Sequence, residues 1–202
     1  MSRMGGDEAS FVARARTGDA EAFRVLVEEH SHRLFRLAYR IAGNEQDAED
    51  IVQETFIKAH RSLARYDDRA TFGAWLTRIA SNQAVDVVRA RRRGGERVEA
   101  QDPDDPDPVD RLAETDAGPE RRLLSMEVTR RVSHAMSRLT PNERAAFVLR
   151  HHEERSIAEI GAMLRLSENA TKQCIFRAVR KMREALRPLA AHGWPERGAR
   201  ES

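Results

Sequence analysis

The chain of 202 residues has little of what membrane, secreted and disulfide-stabilised proteins need. Its single cysteine, Cys174, excludes an internal disulfide and a cysteine-based zinc site. No apolar run approaches the roughly 18 residues of a membrane-spanning helix, and the first ten residues lack the apolar core of a signal peptide. Aromatic residues make up 5% of the chain, too few for a typical β-sandwich. We therefore expect a cytoplasmic protein that neither spans a membrane nor holds a metal or cofactor.

Charge, in contrast, is abundant and unevenly distributed. The chain has 35 Lys and Arg against 33 Asp and Glu, a formal net charge of +2. Residues 94–120 carry a net charge of −8, whereas residues 121–202 carry +8. Charges separated along a chain in this way usually serve the binding of partners rather than the fold.

The acidic middle segment separates two helical parts of the chain. Residues 94–124 contain three glycines and four prolines, a composition that opposes packing and predicts a flexible acidic linker. On either side of it, apolar residues recur every three or four positions, which indicates α-helices. The sequence therefore predicts an all-α protein with two small domains, over residues 1–93 and 125–188, and a disordered tail over residues 189–202.

Helix boundaries are marked by capping residues in both domains. In the first domain a long helix should end at Gly43, a second should start near Asp47, and Thr71 can cap a third. In the second domain, two capping boxes begin at Thr140 and Ser156. The second box opens a short helix, a three-residue break follows, and a basic helix begins after Ser167, which together is the pattern of a helix-turn-helix.

One face of this basic helix carries guanidinium, amide and ammonium groups. Such groups contact base edges and phosphates in the major groove of duplex DNA. A merely solvated face of a basic helix is the alternative interpretation. The residues of this face are Asn169, Lys172, Gln173, Phe176, Arg177 and Arg180.

The first domain has an acidic cluster followed by a basic, aromatic segment. Five acids and no base lie between Glu45 and Glu54, which predicts either a solvated face or a surface for a basic protein. Arginines near aromatic rings then suit single-stranded nucleic acid, where bases stack on rings, although we expect Trp75 to belong to the core. Asn82 and Asp86, one turn apart, could bond the edge of an unpaired base.

Four stretches of the chain have a pattern typical of one protein family. The first domain contains GDAEAFRVLVEEH, DAEDIVQETFIKAHRSL and FGAWLTRIASNQAVDVVRARRR, and the second contains LTPNERAAFVLRHHEERSIAEIGAMLRLSENATKQCIFRAVRKMREAL. These stretches resemble the two domains of bacterial sigma factors of the ECF (extracytoplasmic function) group. The resemblance implies a non-enzymatic subunit that binds core RNA polymerase and promoter DNA and directs transcription initiation. Many members of the group are held inactive by an anti-sigma factor.

The resemblance also implies roles for individual residues. The acidic helix would bind core polymerase through Asp47, Asp50, Gln53 and Glu54. Arg150 would join the basic helix in contacting the minus-thirty-five element, and the linker would follow the RNA exit path. The residues implied to contact the single-stranded minus-ten element are Asp67, Asp68, Arg69, Ala70, Thr71, Asn82, Asp86 and Arg89.

Two other function classes would each account for part of the sequence. An ordinary helix-turn-helix repressor or activator would bind duplex DNA alone as a symmetric dimer, and it would not need the acidic helix. An enzyme would need a recognisable site, but His151, His152, Glu153 and Glu154 do not have the spacing of a zinc-binding H-E-x-x-H motif. No phosphate-binding glycine loop occurs either.

Overall fold

The computed structural model describes residues 4–95 and 119–190, with side chains over 8–95 and 128–188. Every regular element in these two ranges is helical, which confirms the predicted all-α fold. No helix there combines the length and apolar character that crossing a bilayer requires. The helices are α1 (Met4–Arg16), α2 (Ala20–Ala42), α3 (Glu45–Ser62), α4 (Phe72–Arg93), α5 (Pro119–Ser137), α6 (Pro141–His151), α7 (Ile157–Leu164) and α8 (Glu168–Ala190).

The first domain is built from α2, α3 and α4, which bury one common core. Leu26, Ile51 and Leu76, one from each helix, are fully buried in it. The sequence patterns did not predict α1, which has few apolar residues. This helix packs on the domain through Val12 and Ala15, while Glu8 bonds the buried His30 of α2 at 2.9 Å.

The predicted helix ends of the first domain agree with the structure at two of three positions. Gly43 ends α2 in the left-handed region with a φ of +89°, and the Thr71 hydroxyl accepts the Ala74 N–H at 3.2 Å at the start of α4. Helix α3 begins at Glu45, slightly before the predicted Asp47, because Asn44 is the N-cap and accepts the Asp47 N–H at 2.8 Å.

In the second domain, both capping boxes form. The Thr140 and Ser156 side chains each accept the backbone N–H three residues on, and Glu143 and Glu159 bond back to the cap residues. Arg165 follows α7 with a φ of +56°, and Ser167 then caps α8 by accepting the Ala170 N–H at 3.2 Å. The short helix α7 and the longer helix α8, joined by a tight turn, therefore form the predicted helix-turn-helix.

The boundary between the linker and the second domain differs from the prediction. Residues 119–124, predicted to be linker, form the first turns of α5. Proline at the first position of a helix is tolerated because its missing N–H would have no partner there, so Pro119 starts this helix rather than preventing it. At the other end α8 continues to Ala190, past the predicted start of the tail. The rest of the predicted linker and tail, residues 96–118 and 191–202, lies outside the described residues.

Glu143 joins the first turn of α6 to α8. Its carboxylate accepts the Thr140 N–H at 2.9 Å and pairs with the Lys181 ammonium at 2.7 Å, and the side chain is almost fully buried. Burial alone would raise the pKa of this carboxyl, but the bonds from Lys181 and Thr140 outweigh it and hold the pKa below its ordinary value.

We expect this pair to make folding stability depend on pH. A depressed folded-state pKa stabilises the fold above the unfolded value of 4.5, and the contribution is lost as the pH falls through the folded-state pKa. Urea unfolding of the full chain should therefore show a smaller acid-induced loss of stability for Glu143→Gln than for wild type. The exposed Glu184→Gln is the matched control, and an identical pH profile for Glu143→Gln and wild type would contradict this role.

The two domains contact each other through α2 and α4 of the first domain and α6 and α7 of the second. The contact is polar at several points. One example is the Arg92 guanidinium, which donates to the carbonyl oxygens of Ser137 and Leu139 at 3.1 and 2.5 Å. This arrangement places the second domain against the face of α4 that the sequence assigned to DNA.

Candidate polymerase and nucleic-acid interfaces

The acidic helix α3 exposes part of the residue set assigned to polymerase binding. Asp50 and Gln53 are exposed, and Glu54 is half-buried with its carboxylate 3.6 Å from the Lys58 ammonium. Asp47 instead pairs with the Arg91 guanidinium of α4 at 2.6 Å and accepts from the Asn44 amide at 2.8 Å. Asp47 therefore joins α3 to α4, and the assigned residues that face outward are Asp50, Gln53 and Glu54, which we call the outward acidic surface.

An apolar groove runs beside this acidic surface, between α2 and α3. It has a volume of about 860 Å³, and Ile57 on its rim is 37% exposed. Phe23, Val27 and Val52 follow the three- and four-residue spacing of the apolar stripes, which predicts that they lie in the core. In the structure they are half-buried and line the groove. Ile57 is the sequence signal that could have revealed the groove, because it places an apolar side chain one turn after the exposed Gln53 on α3.

The segment assigned to the minus-ten element precedes α4 and is exposed throughout residues 67–71. The buried Tyr66 holds this segment in position, because its hydroxyl donates to the Ala70 carbonyl oxygen at 2.5 Å. Burial and then the nearby Asp68, Glu8 and Asp67 carboxylates raise the pKa of the Tyr66 phenol, which keeps it a donor. Trp75 is half-buried, with its ring 5.1 Å from that of Tyr66, so it belongs only partly to the core.

The other three residues of the minus-ten set lie on one face of α4. Asp86 is exposed and pairs with Arg89 at 3.3 Å. Arg89 also bonds the Asn142 side chain of the second domain at 3.4 Å. Asn82, expected on the exposed side, is half-buried because α7 covers it, and its amide donates to the Met163 carbonyl oxygen at 2.6 Å. The structure therefore places this face in an interdomain contact that sequence patterns could not reveal.

The basic helix α8 presents its predicted DNA face to solvent. All six of its assigned residues are exposed, and the Phe176 ring is 64% exposed. The opposite side is anchored by the buried Thr171, Ala178 and Met182. The exposed residues are Asn169, Lys172, Gln173, Phe176, Arg177 and Arg180.

Two neighbours of this face shape its charge and geometry. Lys172 pairs with Glu168 one turn earlier at 2.5 Å, and this bond lowers the pKa of the Glu168 carboxyl. Arg150, at the end of α6, is exposed and donates to the Arg155 carbonyl oxygen at 2.9 Å.

Gly161 allows the turn before α8 to approach α7, because a Cβ there would lie 3.0 Å from the Leu166 carbonyl oxygen. Cys174 is half-buried, and burial raises the pKa of its thiol.

Both parts of the chain match known family models. Residues 26–94 match the model of Sigma-70 region 2, and residues 135–184 match that of Sigma-70 region 4. The ECF RNA polymerase sigma-E factor of Haemophilus influenzae is 32% identical over 184 residues, which span 90% of this chain and 96% of that protein. The chain belongs to the ECF family of RNA polymerase sigma factors. Sigma factors bind RNA polymerase for transcription initiation and are not enzymes.

Other ECF relatives differ in length. The sigma factor SigE of Mycolicibacterium smegmatis is 39% identical over 173 residues, which cover 84% of this chain and 65% of SigE. The sigma-H factor of Pseudomonas aeruginosa is 33% identical over 184 residues and is covered to 95%. The chain therefore spans about two thirds of SigE and nearly all of sigma-H.

Solved structures share the two-domain fold. CnrH, in complex with the cytosolic domain of CnrY, is 27% identical with a TM-score of 0.61, covering 90% of this chain and 98% of that chain. The sigma factor RpoE in complex with the anti-sigma factor NepR from Bartonella quintana has a TM-score of 0.60, covering 83% of this chain and 98% of that chain. At 20% identity the second likeness concerns the fold alone.

Proposed function

We propose that this ECF sigma factor directs promoter-specific initiation by contacting two DNA elements with its two domains. The exposed face of α8 binds the minus-thirty-five duplex, together with Arg150. Residues 67–71 and the Asn82, Asp86 and Arg89 face of α4 capture unpaired bases of the minus-ten element. Asp50, Gln53 and Glu54 bind a basic surface of core RNA polymerase, which places the activity in the cytoplasm.

One observation carries this proposal. The six α8 residues assigned to DNA are all exposed, and the same chain has an outward acidic surface on α3. The width of the major groove suits one α-helix, and a basic partner suits the acidic surface. A dimeric helix-turn-helix repressor would explain α8 alone. It would leave the acidic helix and residues 67–71 without a partner.

The direct test is reconstitution with core polymerase. We expect the chain to co-purify with core enzyme and to support run-off transcription from selected promoters, because both surfaces are needed for initiation. Tight binding of duplex DNA by a dimer that ignores core polymerase would favour the repressor instead.

We also expect an anti-sigma factor to regulate this chain. The support is that CnrH, which is 27% identical and shares its fold, is solved in complex with a second protein, the cytosolic domain of CnrY. A pull-down with tagged chain from cells grown without stress should recover a protein that blocks run-off transcription. Recovery of core polymerase alone, under every growth condition, would count against such regulation.

Replacing Asp86 by Ala should impair promoter melting more than promoter binding. Asp86 is exposed on the proposed base-capturing face, and extruding a base costs a few kcal/mol that such contacts offset. Permanganate reactivity of thymines near the start site should fall several-fold, while closed-complex affinity changes by less than about twofold. The exposed Glu29 of α2 lies outside this face, so Glu29→Ala serves as the control. Equal losses in both assays would contradict the role of Asp86.

A further inference from the structure

Helix α1 lies outside the part of the chain that matches Sigma-70 region 2, which begins at residue 26. The helix contacts α2 and also the short 3-10 turn Leu63–Arg65. That turn leads into residues 67–71, the proposed base-capturing segment, which contains no helix. Because α1 lies beside the chain that enters this segment, its contacts can determine where the segment lies.

A buried contact connects α1 to the start of α4. The Glu8 carboxylate accepts a hydrogen bond from the His30 Nε2 at 2.9 Å, and the two side chains are 22% and 11% exposed. The His30 ring meets the Phe72 ring nearly edge-on, with 5.5 Å between their centres. A Cβ at Gly73 would lie 3.3 Å from the His30 Cε1, so glycine there lets the imidazole approach the α4 backbone. Since Phe72 directly follows residues 67–71, His30 connects α1 to the end of this segment.

The residue before the segment belongs to the same aromatic cluster. The Tyr66 and Phe72 rings meet edge-on, with 5.7 Å between their centres, and both side chains are buried. The Tyr66 hydroxyl also donates to the Ala70 carbonyl oxygen within the segment. Tyr66 and Phe72 therefore hold the two ends of the segment, and His30 packs against this pair from the α1 side.

A second contact from α1 reaches the segment directly. The Arg16 guanidinium, at the end of α1, lies 3.9 Å from the Asp68 carboxylate, and the side chains are 36% and 76% exposed. Within residues 4–95 and 119–190, no other ion pair connects residues 67–71 to the rest of the chain. An exposed pair contributes little to folding stability. Its effect should therefore appear in the position of the segment more than in the stability of the domain.

We propose that α1 positions the base-capturing segment for unpaired promoter DNA. Glu8 acts through His30 on the start of α4, and Arg16 acts on Asp68. The inference rests on the proposed function of residues 67–71. A segment that is already held in its binding conformation loses less conformational freedom when it captures a base. Weakening these contacts therefore lowers the affinity for the minus-ten strand and leaves α8 and the outward acidic surface unchanged.

The test measures binding of single-stranded DNA to polymerase reconstituted with each full-length chain. One labelled oligonucleotide carries the minus-ten sequence of a promoter selected with the same polymerase, and a second carries that sequence scrambled. For Glu8→Ala we expect affinity for the minus-ten strand to fall about three- to tenfold, up to the effect of losing one charge-assisted hydrogen bond. For Arg16→Asp we expect a fall of about two- to fivefold, up to the effect of one exposed ion pair. Affinity for the scrambled strand should stay within about twofold for both variants.

Conservative and matched variants separate positioning from a folding defect. Glu8→Gln keeps an acceptor oxygen and Arg16→Lys keeps the positive charge, so each should bind the minus-ten strand nearly as well as wild type. Arg14→Asp makes the same charge reversal on the same helix, but Arg14 pairs with Asp19 at 2.7 Å rather than with the segment. Arg14→Asp should therefore leave the affinity for the minus-ten strand unchanged. A folding defect would instead lower the affinity for both strands.

Each result decides for or against positioning by α1. An equal loss for Arg14→Asp and Arg16→Asp, or an unchanged preference for the minus-ten strand in both Glu8→Ala and Arg16→Asp, would overturn the inference. If polymerase with the wild-type chain does not distinguish the minus-ten strand from the scrambled strand, the proposed function of residues 67–71 fails instead. The two failures are therefore distinguishable.

Discussion

Reversing the charge of Asp50 and Glu54 together to Lys is expected to lower affinity for core RNA polymerase by on the order of 100-fold, since like charges brought together at an interface cost several kcal/mol. Both side chains lie on α3 beside the apolar groove. In the proposed docking, the groove provides apolar contact, while the acidic residues select a basic partner. Fluorescence anisotropy of labelled chain titrated with core enzyme measures the effect.

Binding of minus-thirty-five duplex should remain within about twofold for the same double variant, because α8 is unchanged. Two matched single variants test whether the effect depends on where the charge is reversed. Asp50→Lys should weaken core binding, whereas Glu29→Lys, an equal reversal at an exposed position on α2, should not. Equal losses for the two singles would assign the effect to net charge and contradict a docking surface on α3.

Replacing Arg177 by Ala is expected to weaken binding of minus-thirty-five duplex by about ten- to 100-fold, the range for losing one good bidentate base contact. Arg177 is exposed in the middle of the α8 face, between Gln173 and Arg180. Its removal should leave the fold intact, because it is on the side of α8 away from the buried Ala178. Electrophoretic mobility shift at fixed salt measures the loss.

Core polymerase affinity should not change with Arg177→Ala, since α3 lies in the other domain. Arg138→Ala, an exposed arginine outside α8, controls for the loss of one positive charge. If Arg138→Ala weakened duplex binding as much as Arg177→Ala, the effect would be general phosphate attraction rather than contact by the helix. Joint loss of duplex and polymerase binding by Arg177→Ala would contradict the division between domains.

Local sequence signals predicted local structure well. The capping boxes at Thr140 and Ser156, the glycine at position 43 and the periodic apolar stripes each depend on neighbours within a few residues, and the structure bears them out. Helix α1 was missed because its contact with α2 uses only a few apolar side chains. A hydrogen bond between His30 and the Glu8 carboxylate also holds it, and these two residues are far apart in sequence.

Interactions between residues far apart in the sequence could not be predicted in the same way. Arg144 follows Glu143 on a helix rich in polar residues, so the sequence alone suggests a solvated cation rather than a buried side chain that donates to the Arg40 carbonyl oxygen at 2.8 Å. Asp47 similarly belongs to an acidic cluster, yet it pairs with Arg91, which lies 44 positions later. In both cases the partner is chosen by tertiary packing, and no spacing rule connects the two residues.

Promoter selection from a random DNA library, using polymerase reconstituted with this chain, tests the two-element account most directly. The account predicts that transcribed sequences share two separated elements. With Arg177→Ala only the upstream element should lose definition, and with Asp86→Ala only the downstream one. Enrichment of a single symmetric element, or loss of both elements in either variant, would contradict the assignment of one DNA element to each domain.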